Sequence, residues 1–202
     1  MSPVPIHINL AQFDPVELGF PEKFNEFREI QCEAVEWVNQ VFNGGKRFAG
    51  VSLPTGAGKT LFAMALAKML GARTAILTGT LGLQQQYITD FSAAGLFDIR
   101  GKDNYKCAGK PNLNLRCKYG GYEGCLLAGG LGCTYESERY HAKNSQVVIS
   151  NYAYWVRGHK FGPGLLSHVD NKAGEGIVLN PFELLICDEG HHAMEHLAGA
   201  LR

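Results

Sequence analysis

The chain has 202 residues, 46% hydrophobic and 19% charged, which is the composition of a globular protein and excludes a disordered or fibrous one. Its 19 basic and 19 acidic side chains cancel, so bulk charge argues neither for nor against nucleic acid, and only local patches can. No apolar run approaches the ~18 residues of a membrane span, and the opening "MSPVPIHINLAQFDP" lacks the basic start and apolar core of an export signal. A cytoplasmic protein without membrane partners is expected, in a reducing compartment where clustered cysteines more often bind metal or do chemistry than form disulfides.

Taken in chain order, residues 24–42 set Phe24, Phe27, Ile30, Ala34, Trp37, Val38 and Val41 at helical spacing, stopped by Asn43-Gly44-Gly45. "RFAGVSL" (47–53) reads as a buried strand, 59–70 as a helix, "TAILT" (74–78) as a strand and 81–91 as a helix. "VVIS" (147–150) and "FELLIC" (182–187) are apolar runs of strand length, and the final "HHAMEHLAGALR" reads as a helix. Strands that are apolar throughout, alternating with helices, predict an α/β fold: a parallel sheet with helices on both faces. Two segments break the rhythm. Residues 100–143 hold eight glycines, five leucines and no Val, Ile, Phe or Met, and look like an insertion. Residues 158–180 are Gly-rich and weakly patterned, and read as an exposed connection. The expected domains are 1–99 with 144–202, and the inserted 100–143.

"SLPTGAGKT" (52–60) joins the first expected strand to the following helix, the context of a phosphate-binding loop. In Thr55-Gly56-Ala57-Gly58-Lys59-Thr60, small residues let backbone N–H groups turn onto phosphate oxygens, and the helix N-terminus adds partial positive charge. Lys59 would neutralise the β- and γ-phosphates and the Thr60 hydroxyl would hold Mg²⁺. The usual first glycine is replaced by Leu53. Asp188, 129 residues after Lys59, ends an apolar strand next to Glu189, at the edge where a parallel sheet presents its ligands. Asp188 would support the Mg²⁺ and Glu189 would polarise the attacking water. Together the two motifs predict ATP–Mg²⁺ binding.

With Pro54 to Thr60 as motif I and Asp188-Glu189-Gly190-His191 as a DExH box, the chain resembles superfamily 2 helicases, with a RecA-like P-loop first lobe. That family often dispenses with the first glycine. Arg28-Glu29-Ile30-Gln31 resembles its Arg-x-x-Gln element, which implies adenine recognition by Arg28 and Gln31. A polar helix face is the plainer reading of the same spacing. "LTGTLGLQQQY" (77–87) resembles motif Ia, implying that Thr80 touches a strand's phosphates, and His191 would couple the nucleotide and nucleic-acid sites. "VVISNYAYWV" (147–156) resembles the stretch before motif II, with Asn151 a weak site candidate and Trp155 a core residue.

Cys107, Cys117, Cys125 and Cys133 fall within 27 residues of the insertion, with nine, seven and seven residues between them. A segment so poor in apolar residues needs a staple. Structural zinc typically uses paired C-x-x-C knuckles, absent here, whereas wide even spacing suits a larger cluster. The position of the insertion resembles that in XPD/DinG-like iron–sulfur helicases, which implies a [4Fe–4S] cluster on these four cysteines; zinc is the alternative. Cys32 and Cys187 read as core cysteines. Arg100, Lys102, Lys106, Lys110, Arg116 and Lys118 stand against the single acid Asp103 over residues 100–118, with Tyr105, Tyr119 and Tyr122 close by. Cations for phosphates and rings for bases suit single-stranded or forked DNA, while solvated surface lysines are the plain alternative.

That family usually carries an arch-shaped domain before the DExH box, and the roughly thirty residues at 151–181 are too few for it. His192-Ala193-Met194-Glu195-His196 matches the inverted zinc-protease pattern H-x-x-E-H, but no third ligand lies nearby, and a polar helix face accounts for it. Eleven residues follow His191, so the second lobe with its arginine finger is expected from elsewhere and the chain alone should be nearly inactive in hydrolysis. The leading expectation is therefore the ATP-dependent motor lobe of a DNA helicase. A nucleic-acid-binding or regulatory fragment with a vestigial nucleotide site, or the first lobe of a restriction-type translocase, are the alternatives.

Overall fold

The computed structural model describes residues 7–108, 127, 132–160, 165, 167–170, 176–179 and 181–200. Four parallel strands carry it: β1 (Thr74–Thr78), β2 (Leu96–Asp98), β3 (Val147–Asn151) and β6 (Leu184–Cys187), in the order β2-β3-β1-β6. β1 pairs with β3 from Thr74 opposite Val147 to Thr78 opposite Asn151, and with β6 from Thr74 opposite Leu184 to Leu77 opposite Cys187. Every residue of β1 is buried, as an inner parallel strand covered on both faces requires.

Side-chain alternation along the strands divides the core in two. Ile76, Val147 and Ile149 face a large cluster built with α1 (Glu29–Asn43), α2 (Lys59–Leu70) and α3 (Leu81–Phe91), in which Val35, Met64, Tyr87 and Phe91 are wholly buried. Val148 faces the other way, onto Ile99, Leu165 and Ala142, with Tyr135, Tyr154 and Trp155 packed around them. That second layer comes from α4 (Thr134–Asn144) and α5 (Tyr152–Lys160). Each large apolar side chain so buried contributes about 1.5–3 kcal/mol. The chain is thus an α/β protein with the RecA-like arrangement of a parallel sheet between helical layers.

Seven consecutive residues of α2, Leu61 to Ala67, are buried, so this helix is apolar all round because it is covered all round. Arg73, just before β1, ties three strand entries together. It donates to the carbonyls of Ala142, Lys143 and Ser145, and its guanidinium lies 3.8 Å from the Phe182 ring centre. Its backbone N–H donates to Glu183 Oε2 at 2.9 Å.

Four features depart from the sequence expectation. Residues 47–53 form no strand: Phe48 is 86% exposed, Val51 is exposed, and only Ala49 and Leu53 touch the core. Apolar content brings a segment to the core, but a strand also needs ladder partners, and among the described residues β6 is paired only on its β1 side. The short β2 and α5 were not anticipated. The stretch 158–180 is more than a connection: it takes in the end of α5 and an antiparallel pair, β4 (Ser167–Asp170) with β5 (Gly176–Leu179). Finally, α4 lies within the expected insertion, yet it packs on β2 and buries Ala142 completely. The last helix, α6 (His191–Ala200), follows β6 through a turn.

Candidate nucleotide and nucleic-acid site

The phosphate-loop sequence adopts a conformation that only glycine accepts easily. Gly56 and Gly58 have φ of 81° and 79°, the left-handed region, and Gly58 is the N-cap of α2. A Cβ on Gly58 would lie 2.5 Å from Gln31 Nε2. That contact exists because α1 grips the loop from behind. Gln31, 1% exposed, donates from Nε2 to the carbonyls of Ala57 and Gly58 at 2.9 Å each, and its Oε1 accepts from Arg28 N–H at 2.9 Å. The Arg28 guanidinium donates to the carbonyl of Gly56.

In a trans peptide the carbonyl and the next N–H point in opposite directions. Turning the carbonyls of Gly56, Ala57 and Gly58 toward α1 therefore sends the N–H groups of Ala57, Gly58 and Lys59 the other way. Ala57 N–H closes a turn on Pro54 O at 3.2 Å. α2 has no side-chain cap and no acid in its first turn, so its positive end faces outward uncompensated. Lys59 is exposed and Thr60 half-buried at that end, beside the exposed Thr55. The donor set fits a polyphosphate: a helix N-terminus, the Gly58 and Lys59 amides turned away from α1, and one lysine. Arg28 and Gln31, expected at an adenine, are placed on the loop itself. Both Gln31 amide hydrogens are engaged there, and reading a base would require giving one up.

The paired acids follow β6. Asp188 N–H donates to Leu77 O at 2.9 Å, which fixes the acidic turn against the end of β1. The carboxylate is held at both oxygens: Tyr87 OH donates to Oδ2 at 2.8 Å and Glu189 N–H to Oδ1 at 2.9 Å. Tyr152 OH donates to the Asp188 carbonyl at 2.8 Å. Burial, then the Asp188 charge, holds the Tyr87 phenol well above its ordinary range, so it stays a donor. Glu189 is exposed, with φ of 52°, the one non-glycine residue in the left-handed region among those described. Such strain costs of order 1–2 kcal/mol and gathers at functional sites.

The nucleic-acid expectations are placed unevenly. Thr80 is exposed and caps α3, its Oγ1 accepting from Leu83 N–H at 3.2 Å, which leaves the hydroxyl able to donate. His191 is exposed at the start of α6, its ring centre 4.1 Å from that of His192. His192 lies 3.7 Å from Glu189 Oε2 and presses on Gly79, beside the motif Ia threonine. Lys102 is half-buried and Lys106 exposed, whereas Arg100 is committed to Asp98 (2.7 Å) and Gln85 (2.8 Å). Tyr105 is partly buried against Tyr135, its hydroxyl accepting from Arg100 N–H at 3.0 Å, so its ring serves packing.

Of the cysteine quartet, Cys107 and Cys133 are partly buried, one at each end of the insertion. Cys117 and Cys125 lie outside the described residues, as do Lys110, Arg116 and Lys118. Among the described residues no three His, Cys, Asp or Glu side chains converge as metal ligands. Within the H-x-x-E-H stretch, His192 Nδ1 lies 3.9 Å from Glu195 Oε2. No described helix is long and apolar enough to cross a membrane.

Sequence reasoning missed Tyr87 and Tyr152, and read His192 only within the H-x-x-E-H pattern. Tyr87 carries a weak signal, a hydroxyl on the inner face of a helix three residues after Gln84, but nothing local links it to an acid 101 residues away.

No curated protein and no solved structure matches the chain. The family model for the type III restriction enzyme res subunit, ResIII, matches residues 24–200, from before α1 to the end of α6. The match supports superfamily 2 at large and does not single out the iron–sulfur subtype. On that span, the chain belongs to the ResIII family and is a helicase-type lobe of superfamily 2.

Proposed function

We propose that this chain is the first motor lobe of an ATP-dependent DNA translocase or helicase, binding ATP–Mg²⁺ at the phosphate loop and single-stranded or forked DNA along α3 and the basic stretch from residue 100. The observation that carries this reading is the grip of Arg28 and Gln31 on three successive loop carbonyls, which turns the amides away from α1 at the N-terminus of α2. When bound, ATP would supply the phosphoanhydride whose hydrolysis powers movement, and Mg²⁺ held on the Thr60 and Asp188 side would neutralise phosphate charge. Lys59 balances phosphate charge, Thr60 and Asp188 are the magnesium-side oxygens, and Glu189 orients water. His191, at the start of α6 just after the acidic turn, would couple it to the strand-binding side. A second lobe, from this protein or another, supplies the arginine finger, worth roughly 10³–10⁵ in rate.

The ResIII match favours a restriction-type translocase within this reading as much as a helicase. The finer possibility, a 100–143 domain holding [4Fe–4S] or zinc on Cys107, Cys117, Cys125 and Cys133, rests on the sequence. Anaerobic purification with iron and zinc analysis decides it: about four irons per chain supports the cluster, one zinc the alternative, and neither removes both.

The test of the main reading is equilibrium binding of a fluorescent ATP analogue and of a labelled single-stranded oligonucleotide to the 202-residue chain and to Lys59→Ala. Magnesium-dependent nucleotide binding that Lys59→Ala weakens at least tenfold, with oligonucleotide binding retained, supports the motor lobe. Oligonucleotide binding without any nucleotide affinity leaves only a nucleic-acid-binding module.

A further inference from the structure

α3 begins at the motif Ia threonine and is bolted to strand ends across the sheet. Gln84, wholly buried, donates to Asp98 at the end of β2 and to the Ile99 carbonyl, and its Oε1 accepts from Asn151 Nδ2 at the end of β3 at 3.4 Å. Three residues on, on the same helix face, Tyr87 reaches past β1 to Asp188 Oδ2. The ring is 0% exposed and packs near Phe91, and its hydroxyl donates to the acid at 2.8 Å. The exposed N-cap Thr80 and Tyr87, which holds the Asp188 carboxylate, are thus seven residues apart on one helix.

We propose that Tyr87 is a positioning residue that transmits the placement of α3, set by the strand bound at its N-terminus, to the Asp188 carboxylate. The inference rests on the motor-lobe reading. Tyr87 touches no substrate: it acts through Asp188. A strand held at the N-terminus of α3 thereby bears on the helix whose Tyr87 hydroxyl holds Oδ2 and leaves the carboxylate's remaining lone pairs for the metal. By linkage, magnesium–nucleotide in turn strengthens strand binding by the same factor.

The test measures binding of fluorescent ADP to the full chain with magnesium and with EDTA, with and without a single-stranded oligodeoxynucleotide. Wild type, Tyr87→Phe, Asp188→Asn and the double variant are compared, with a melting curve for each. Tyr87→Phe is expected to keep its affinity in EDTA, to lose about tenfold of the magnesium enhancement, and to lose the oligonucleotide's effect on it. Adding Tyr87→Phe to Asp188→Asn should change nothing further. An ultraviolet difference signal from tyrosine when magnesium is added to nucleotide-bound wild type, absent in Asp188→Asn, reads the same contact without altering Tyr87. The proposal is overturned if Tyr87→Phe and wild type show equal magnesium enhancement, or if the phenylalanine lowers affinity equally in EDTA and in the Asp188→Asn background. A wild-type chain with no nucleotide affinity under any condition sinks the motor-lobe reading itself, a different result from either.

Discussion

Gln31 on α1 holds Gly58 of the phosphate loop through its own carbonyl and that of Ala57, and leaves no room for a side chain at Gly58. Gly58→Ala meets two obstacles at once. The left-handed φ costs roughly 1–2 kcal/mol for a residue with a Cβ, and the new methyl must displace a buried amide. A loss of about 2–4 kcal/mol is expected by urea denaturation, with the midpoint shifted and the slope unchanged. Gln31→Ala leaves the clash aside but strips the loop carbonyls of their donor, for about 1–3 kcal/mol. In the double variant the two losses should fall well short of additive, since the first is in part a collision with the side chain the second removes.

The glycine turn leading into α2 was legible because its message is local: a small-residue run, a lysine and a helix all lie within about fifteen residues of chain. The acidic turn was legible for the same reason, as was the parallel α/β fold from apolar runs at strand length. The segment 47–53 was misread because a strand is defined by its neighbours, and periodicity cannot see whether a ladder partner stands beside Phe48. The β4–β5 pair was hidden by glycines that weaken the pattern of the stretch without preventing a two-stranded antiparallel pair. Gln31 was read through its resemblance to an adenine-recognising element, and the sequence could not tell that loop carbonyls stand in front of it. Tyr87 and Asp188 lie 101 residues apart, and only the stacking of α3 on the sheet makes them partners.

Gly79 sits between β1 and the Thr80 cap, and an added Cβ would lie 2.6 Å from His192 Cδ2 and 2.9 Å from Cγ. Its φ is not in the left-handed region, so the constraint is contact alone. Gly79→Ala should push α6 from the motif Ia turn and cost about 1–3 kcal/mol. Because the two nearest atoms belong to the imidazole, His192→Ala in the same chain should recover most of that loss. Thermal melts of the four proteins check it, and an equal loss with and without the ring would place the obstruction in the backbone.

Four tyrosines, Tyr87, Tyr105, Tyr152 and Tyr154, have phenols raised above their ordinary range, each first by burial. Tyr87 and Tyr152 are the most enclosed, at 0% and 2% exposed, and both donate to Asp188. A phenol whose folded pKa exceeds its unfolded value of about 10 favours folding fully below that value. As pH climbs past about 10 the unfolded chain releases these protons and the folded chain keeps them, so stability falls until the folded pKa is passed. Each such phenol adds a slope of about 1.4 kcal/mol per pH unit. Denaturation midpoints measured from pH 8 to pH 11 should hold steady to about 9.5 and then drop steeply. Tyr87→Phe should be less stable than wild type at pH 8 but should lose stability more slowly above pH 10, since one fewer proton is at stake. If the two proteins instead decline in parallel above pH 10, the Tyr87 phenol is not the protonated donor on which the Asp188 contact depends.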